Sequence, residues 1–152
     1  MKRNNSGFTL IELLVVMAIL SILCGLGLGA SRVYRQRSYA ALVYSSSHNA
    51  WTALEASVSD LDNAPAGWYG GWTNVPGPVT GWDGEPFLPG YINPKGISIN
   101  AFYNSWCSAN PGFWCMERGI NIHHCKSGKM MWWFKLSDGT ELKNEWEGMP
   151  WC

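Results

Sequence analysis

Residues 8–30 read FTLIELLVVMAILSILCGLGLGA, and one residue in that stretch is at odds with the rest. From Leu13 to Ala30 the run carries no charge, yet Glu12 stands at its head. Taken as a helix from Phe8 to Ala30, the segment is roughly 34 Å long at 1.5 Å per residue, enough to cross a bilayer core of about 30 Å. An ionised side chain at the centre of a membrane costs from about 2.5 to 10 or more kcal/mol, depending on the measure. A carboxylate there calls for a partner.

The flanks decide whether the segment is kept. Lys2 and Arg3 supply a basic start, as in a secretory signal, but such a signal has an apolar core of about 7–15 residues closed by a small-residue cleavage site. Here the run is longer, and no small-x-small site sits cleanly at its far end before Arg32. The segment is therefore expected to be retained. Arg32, Arg35 and Arg37 mark its exit from lipid, and they balance Lys2 and Arg3 closely enough that charge alone leaves the orientation open.

Gly7-Phe8-Thr9-Leu10-Ile11-Glu12, followed by Leu13-Leu14-Val15-Val16-Met17-Ala18-Ile19-Leu20, resembles the processing and assembly signature of type IV pilins and of the related pseudopilins of type II secretion. The resemblance covers about the first thirty-five residues. It implies a leader peptide of residues 1–7, a prepilin peptidase that cuts between Gly7 and Phe8, and N-methylation of the new Phe8 amino group. It also implies a precursor held in the inner membrane, an assembly platform there, and export into a homo-oligomeric helical filament on the cell surface. Physical chemistry gives the signature its sense. Cleavage creates an α-amino group, cationic near neutral pH, at the tip of an apolar helix. Glu12 lies one turn from that tip, where the helix dipole favours a negative charge. In a filament the resemblance pairs Glu12 of one subunit with the Phe8 amine of a neighbour.

Gly25, Gly27 and Gly29 alternate in the second half of the run, each costing a helix interior about 1 kcal/mol relative to alanine. Pilins similar in this region commonly carry a proline where Gly29 falls, and that stretch can unwind in the filament. With glycines instead, two readings stand: local melting, slightly preferred, or close approach of neighbouring helices.

Residues 8–30 are thus read as a transmembrane and assembly helix, and residues 31–62 as its amphipathic continuation. Trp51, Leu54, Val58 and Leu61 recur at three- and four-residue steps, the spacing of one helix face. Residues 63–96 are dense in glycine and proline, interleaved with Trp68, Tyr69, Trp72, Trp82, Phe87 and Tyr91, and read as a loop. Its aromatics either pack on the helix and on neighbouring subunits, the favoured reading, or stack on sugar rings. Residues 97–152 read as antiparallel sheet: 97–103 alternates, 119–123 alternates briefly, and 129–136 and 140–146 flank Ser137-Asp138-Gly139 as a hairpin. Three or four strands are expected to cover the helix stripe. The fold class is α+β, a long N-terminal helix on a small antiparallel sheet.

Cys24 reads as a small apolar residue on a buried helix. Cys107, Cys115, Cys125 and Cys152 make an even set in a small domain outside the cytoplasm, and read as two disulfides. Three connectivities are open; Cys107 with Cys115 and Cys125 with Cys152 is preferred, since the second pair ties a chain end to the body.

Lysine plus arginine equals aspartate plus glutamate, eleven each, so no basic field invites nucleic acid and none is expected as a partner. Beside seventeen glycines stand ten tryptophans, and such abundant aromatics give the chain apolar surface to bury, which argues against disorder. His123-His124-Cys125 matches no common zinc spacing, and adjacent histidines on a strand face opposite ways, so no metal or cofactor is expected. Neither a nucleophile elbow, a phosphate loop nor paired catalytic acids occur, which argues against an enzyme. The favoured function is a structural pilin. The alternatives are a pseudopilin, disfavoured because only Asp138 marks where a C-terminal calcium loop is expected, and a tip pilin that binds glycans or surfaces.

Overall fold

The computed structural model describes residues 8–61, 67–110 and 115–148, in two compact units, Met1–Arg37 and Ser38–Cys152. Helix α1, Leu10–Leu61, contributes to both. It begins at Leu10 and not at Phe8, because Thr9 acts as its N-cap: the Glu12 backbone N–H donates to Thr9 Oγ1 at 3.4 Å. The leader, residues 1–7, lies outside the described residues.

In the first unit every large apolar side chain from Phe8 to Leu26 is exposed. The helix is apolar and long enough to cross a membrane, and its most apolar 18-residue window has no buried residue. Cys24, expected to be buried, is free and exposed, because nothing among the described residues covers this face. A Cβ added at Gly25 or Gly27 would meet nothing within 4 Å, so neither glycine is required by packing within the single chain. The helix passes through Gly25, Gly27 and Gly29 in this chain.

The second unit is the head. Here α1 buries Val43, Ala50, Trp51, Leu54 and Val58, the face that the three-and-four spacing defined, while the Leu61 side chain lies outside the described residues. A five-stranded antiparallel sheet packs on it in the order β1 (Trp68–Thr73), β4 (Ile97–Asn104), β5 (Met116–His124), β6 (Lys129–Leu136), β7 (Glu141–Glu147). β2 (Gly77–Pro78) and β3 (Ile92–Asn93) form a separate ladder, and the short helix α2 (Ser105–Ala109) follows β4. Alternate residues Ile97, Ile99, Ala101 and Tyr103 of β4, with Ile120 and Ile122 of β5 and Met131 of β6, join the helix stripe in one core. The β6–β7 hairpin turns at Ser137-Asp138-Gly139. Gly139 takes φ +86°, and the Thr140 amide donates to Asp138 Oδ1 at 2.8 Å, which holds that carboxyl below its usual range.

Two expectations need correction. The 63–96 stretch is not loop throughout, since it supplies β1, β2 and β3, and the sheet accordingly has five strands and not three or four. Gly70 and Gly71, which read as breakers, allow the close approach that the strand needs. A Cβ at Gly70 would lie 2.8 Å from the Ala101 carbonyl oxygen, and one at Gly71 would lie 2.3 Å from that of Thr80. The rest of the stretch is pinned by Asn93, fully buried, whose amide donates to the carbonyls of Val75 and Ile97 at 2.9 Å each. Phe87, Leu88 and Tyr91 are buried with it, as the packing reading requires, whereas Trp68, Trp72 and Trp82 are exposed. Burial pushes the Tyr91 hydroxyl up to about 12, against a hydrogen bond with Ser46.

Cys107 of α2 and Cys115, just before β5, form a disulfide with Cα atoms 5.9 Å apart. Cys125 is also disulfide-bonded. Cys152, the partner expected for it, lies outside the described residues.

Candidate assembly site at the N-terminus

Thr9 and Glu12 sit three residues apart at the start of α1, and each satisfies the other. The Thr9 backbone N–H and hydroxyl both donate to Glu12 Oε2, at 2.9 and 2.8 Å, while Thr9 Oγ1 accepts from the Glu12 amide. This is a reciprocal capping box, which satisfies backbone donors that a helix start leaves unpaired. The T-x-x-E pattern at residues 9–12 carries this cap in the sequence, so Glu12 has a partner three residues away in its own chain. Both bonds reach Oε2, and among the described residues none reaches Oε1. One carboxylate oxygen is thus anchored and the other is available. Phe8, whose nitrogen becomes the new terminus if the chain is cut after Gly7, is 85% exposed beside this cap. Gly7 itself lies outside the described residues.

Two polar clusters in the head tie the helix to the sheet. Arg118 on β5 makes a two-pronged ion pair with Glu55 of α1, Nε to Oε1 and Nη2 to Oε2 both at 2.9 Å, and also contacts Glu117. Lys143 sits over the rings of Tyr44 and Trp133, 4.7 and 4.6 Å from their centroids, and Trp133 stacks on Trp51 at 4.6 Å. No sequence pattern announces either, because each joins segments far apart along the chain.

His123 pairs with Ser98 and His124 with Ile97, so the two rings face opposite sides of the sheet. His124 stacks on Tyr39 at 4.2 Å, and the Ser127 amide donates to its Nδ1 at 3.1 Å. Burial first, then the charges of His123 and Lys126, push its pKa down. Among the described residues no group of three histidines, cysteines or carboxylates is placed to hold a metal ion.

The chain thus combines an apolar helix that is long enough to cross a membrane and opens on a capped carboxylate with a second unit, a sheet-covered head, in an α+β fold. Residues 2–28 match the family model described as the prokaryotic N-terminal methylation motif. The chain is also similar to the type IV major fimbrial protein FimA of Dichelobacter nodosus, 40% identical over 74 residues. That match covers 48% of this chain and 46% of FimA, so the chain spans about half the length of the curated relative it matches. No solved structure matches it. The motif match falls on the same N-terminal residues that carry the resemblance to type IV pilins.

Proposed function

We propose that this chain is a structural subunit of an extracellular type IV pilus-like filament and performs no catalysis. Hydrolysis of the Gly7–Phe8 bond by a prepilin peptidase frees the Phe8 amino group, which is then methylated and remains cationic. The mature chain waits in the inner membrane, where lipid covers its apolar surface, and an assembly platform extracts it into the filament. There Glu12 Oε1 accepts the Phe8 amine of a neighbour, while Thr9 keeps Oε2. The observation that carries this reading is the half-satisfied carboxylate of Glu12 beside an exposed Phe8, on a helix face that nothing among the described residues covers.

Assembly on this scheme converts a charge that is costly in lipid into a pair buried among helices. The likeness to FimA, a major fimbrial protein, favours a surface fimbria over a secretion pseudopilus. Electron microscopy of filaments sheared from the producing cells, with the intact mass of their subunit, tests it. Abundant fibres built of this chain, starting at Phe8 and heavier by one methyl group, are expected. A subunit that retains residues 1–7, or fibres lacking this chain, would refute it.

A further inference from the structure

The face of the head sheet turned away from α1 sorts its residues in a way that filament assembly does not use. Trp72 of β1 pairs with Asn100 of β4, Asn100 with Asn121 of β5, Asn121 with Trp132 of β6, and Trp132 with Asn144 of β7. Directly paired residues share a face, so these five side chains form one row across the whole sheet. The row lies opposite the side on which Ile99, Ile122 and Met131 meet the core.

Three properties of the row point the same way. Its indoles are open: Trp72 is 58% and Trp132 41% exposed. Among the described residues, no hydrogen bond reaches the side-chain amides of Asn100, Asn121 or Asn144. And the row is uncharged, because β7 divides its residues by face. Glu141, Lys143, Glu145 and Glu147 pair with Lys135, Trp133, Met131 and Lys129 on the core side, which leaves Leu142, Asn144 and Trp146 on the outer one. Beside the row, Phe102 and Phe134 lie 5.9 Å apart across Gly119, where a Cβ would come within 2.2 Å of Phe134 Cδ1. Glycine there lets the two rings close over β5 and extends the flat surface.

An indole face takes the C–H face of a pyranose ring, and a free amide both donates to and accepts from sugar hydroxyls. A sulfated or uronate-rich chain would find no cation in the row. Strands about 4.8 Å apart put Trp72 and Trp132 about 14 Å from one another, a span of about three sugar rings. We propose that this face binds an extended, uncharged polysaccharide of β-linked pyranoses, with Trp72 and Trp132 as stacking platforms and Asn100 and Asn121 as hydrogen-bonding groups between them. A second copy of the chain is the poorer occupant, since it would bury three amides with no fixed partner.

The site belongs to the head and stands apart from the filament reading, so Glu12→Ala is expected to leave it intact. The test is retention of the full chain, held in a detergent without a sugar headgroup, on insoluble cellulose and on chitin. The native chain is expected to bind at least one of the two, with affinity unchanged by added salt. Trp132→Ala should weaken binding about tenfold, and the Trp72→Ala/Trp132→Ala pair should abolish it. Asn100→Ala/Asn121→Ala, which leaves both indoles in place, should also weaken binding and guards against a folding defect in the tryptophan variants. Passage of the native chain through both matrices would overturn the proposal. So would retention of either double variant equal to that of the native chain, or binding that salt removes. Self-association lost in Trp132→Ala without polysaccharide binding would assign the face to a second copy instead.

Discussion

One helix meets two environments. From Phe8 to Leu26 its large apolar side chains are all exposed, while between Val43 and Val58 the apolar side chains Val43, Trp51, Leu54 and Val58 are buried under the sheet. The two stretches differ little in what an apolar side chain gains by leaving water, about 25 cal/mol per Å². They differ in who supplies the cover. The head encodes its own partner, in strands that alternate inward isoleucines with outward polar residues. The N-terminal stretch finds none among the described residues, and on the proposed function it depends first on lipid and then on other copies. Polymerisation would then complete burial that folding leaves open.

The comparison breaks most visibly at Glu12. Removing one member of a buried ion pair costs about 3–5 kcal/mol, so Glu12→Ala should abolish filaments or reduce them to traces, while the precursor is still cut and still membrane-bound. Filament yield by shearing, with immunoblots of membrane and mature subunit, reads this. A normal yield would remove Glu12 from assembly. The head responds to the opposite kind of change. Leu54→Ala empties a fully buried site and should cost the head about 2–5 kcal/mol in denaturant unfolding, whereas Leu14→Ala should leave head unfolding unchanged. Equal effects of the two would erase the distinction between the stretches.

Sequence alone revealed these regions unevenly. The helix stripe at Trp51, Leu54 and Val58, the alternation in residues 97–103 and the Ser137-Asp138-Gly139 turn were legible, because each is a local period or a local turn chemistry. β1 was not, since Gly70 and Gly71 act through Ala101 and Thr80, neighbours that only the fold supplies. The Arg118–Glu55 pair spans 63 residues and has no local signature. The Trp72–Trp132 row exists only once the register is known. At the N-terminus the leader, Phe8 and Glu12 stood out by resemblance, yet the cap that Thr9 places on Glu12 was present in the same six residues.

That cap sets a smaller effect. Thr9→Ala removes the N-cap side chain and should cost the first turn about 1 kcal/mol, lowering filament yield far less than Glu12→Ala does. A loss as complete as that of Glu12→Ala would mean that Thr9, and not the intermolecular pair, is what Glu12 serves. The smallest effect belongs to the head. His124, packed by Tyr39, His123, Lys126 and Ser127, has a pKa below its unfolded value near 6.5. The folded state therefore prefers the neutral ring. Its stabilising contribution is complete above about pH 6.5 and declines as pH falls from there towards the lowered folded value. Thermal unfolding of the full chain in detergent between pH 7.5 and 5 should show a decline that His124→Phe flattens. An unchanged slope in the variant would place the decline elsewhere.

The most direct measurement is a high-resolution electron cryomicroscopy map of the sheared filament, read at one distance. Assembly by charge pairing requires a Glu12 carboxylate oxygen within about 4 Å of the Phe8 nitrogen of a neighbouring subunit, the reach of an ion pair. A filament in which Glu12 contacts only its own Thr9, with every neighbouring Phe8 nitrogen out of range, would contradict it.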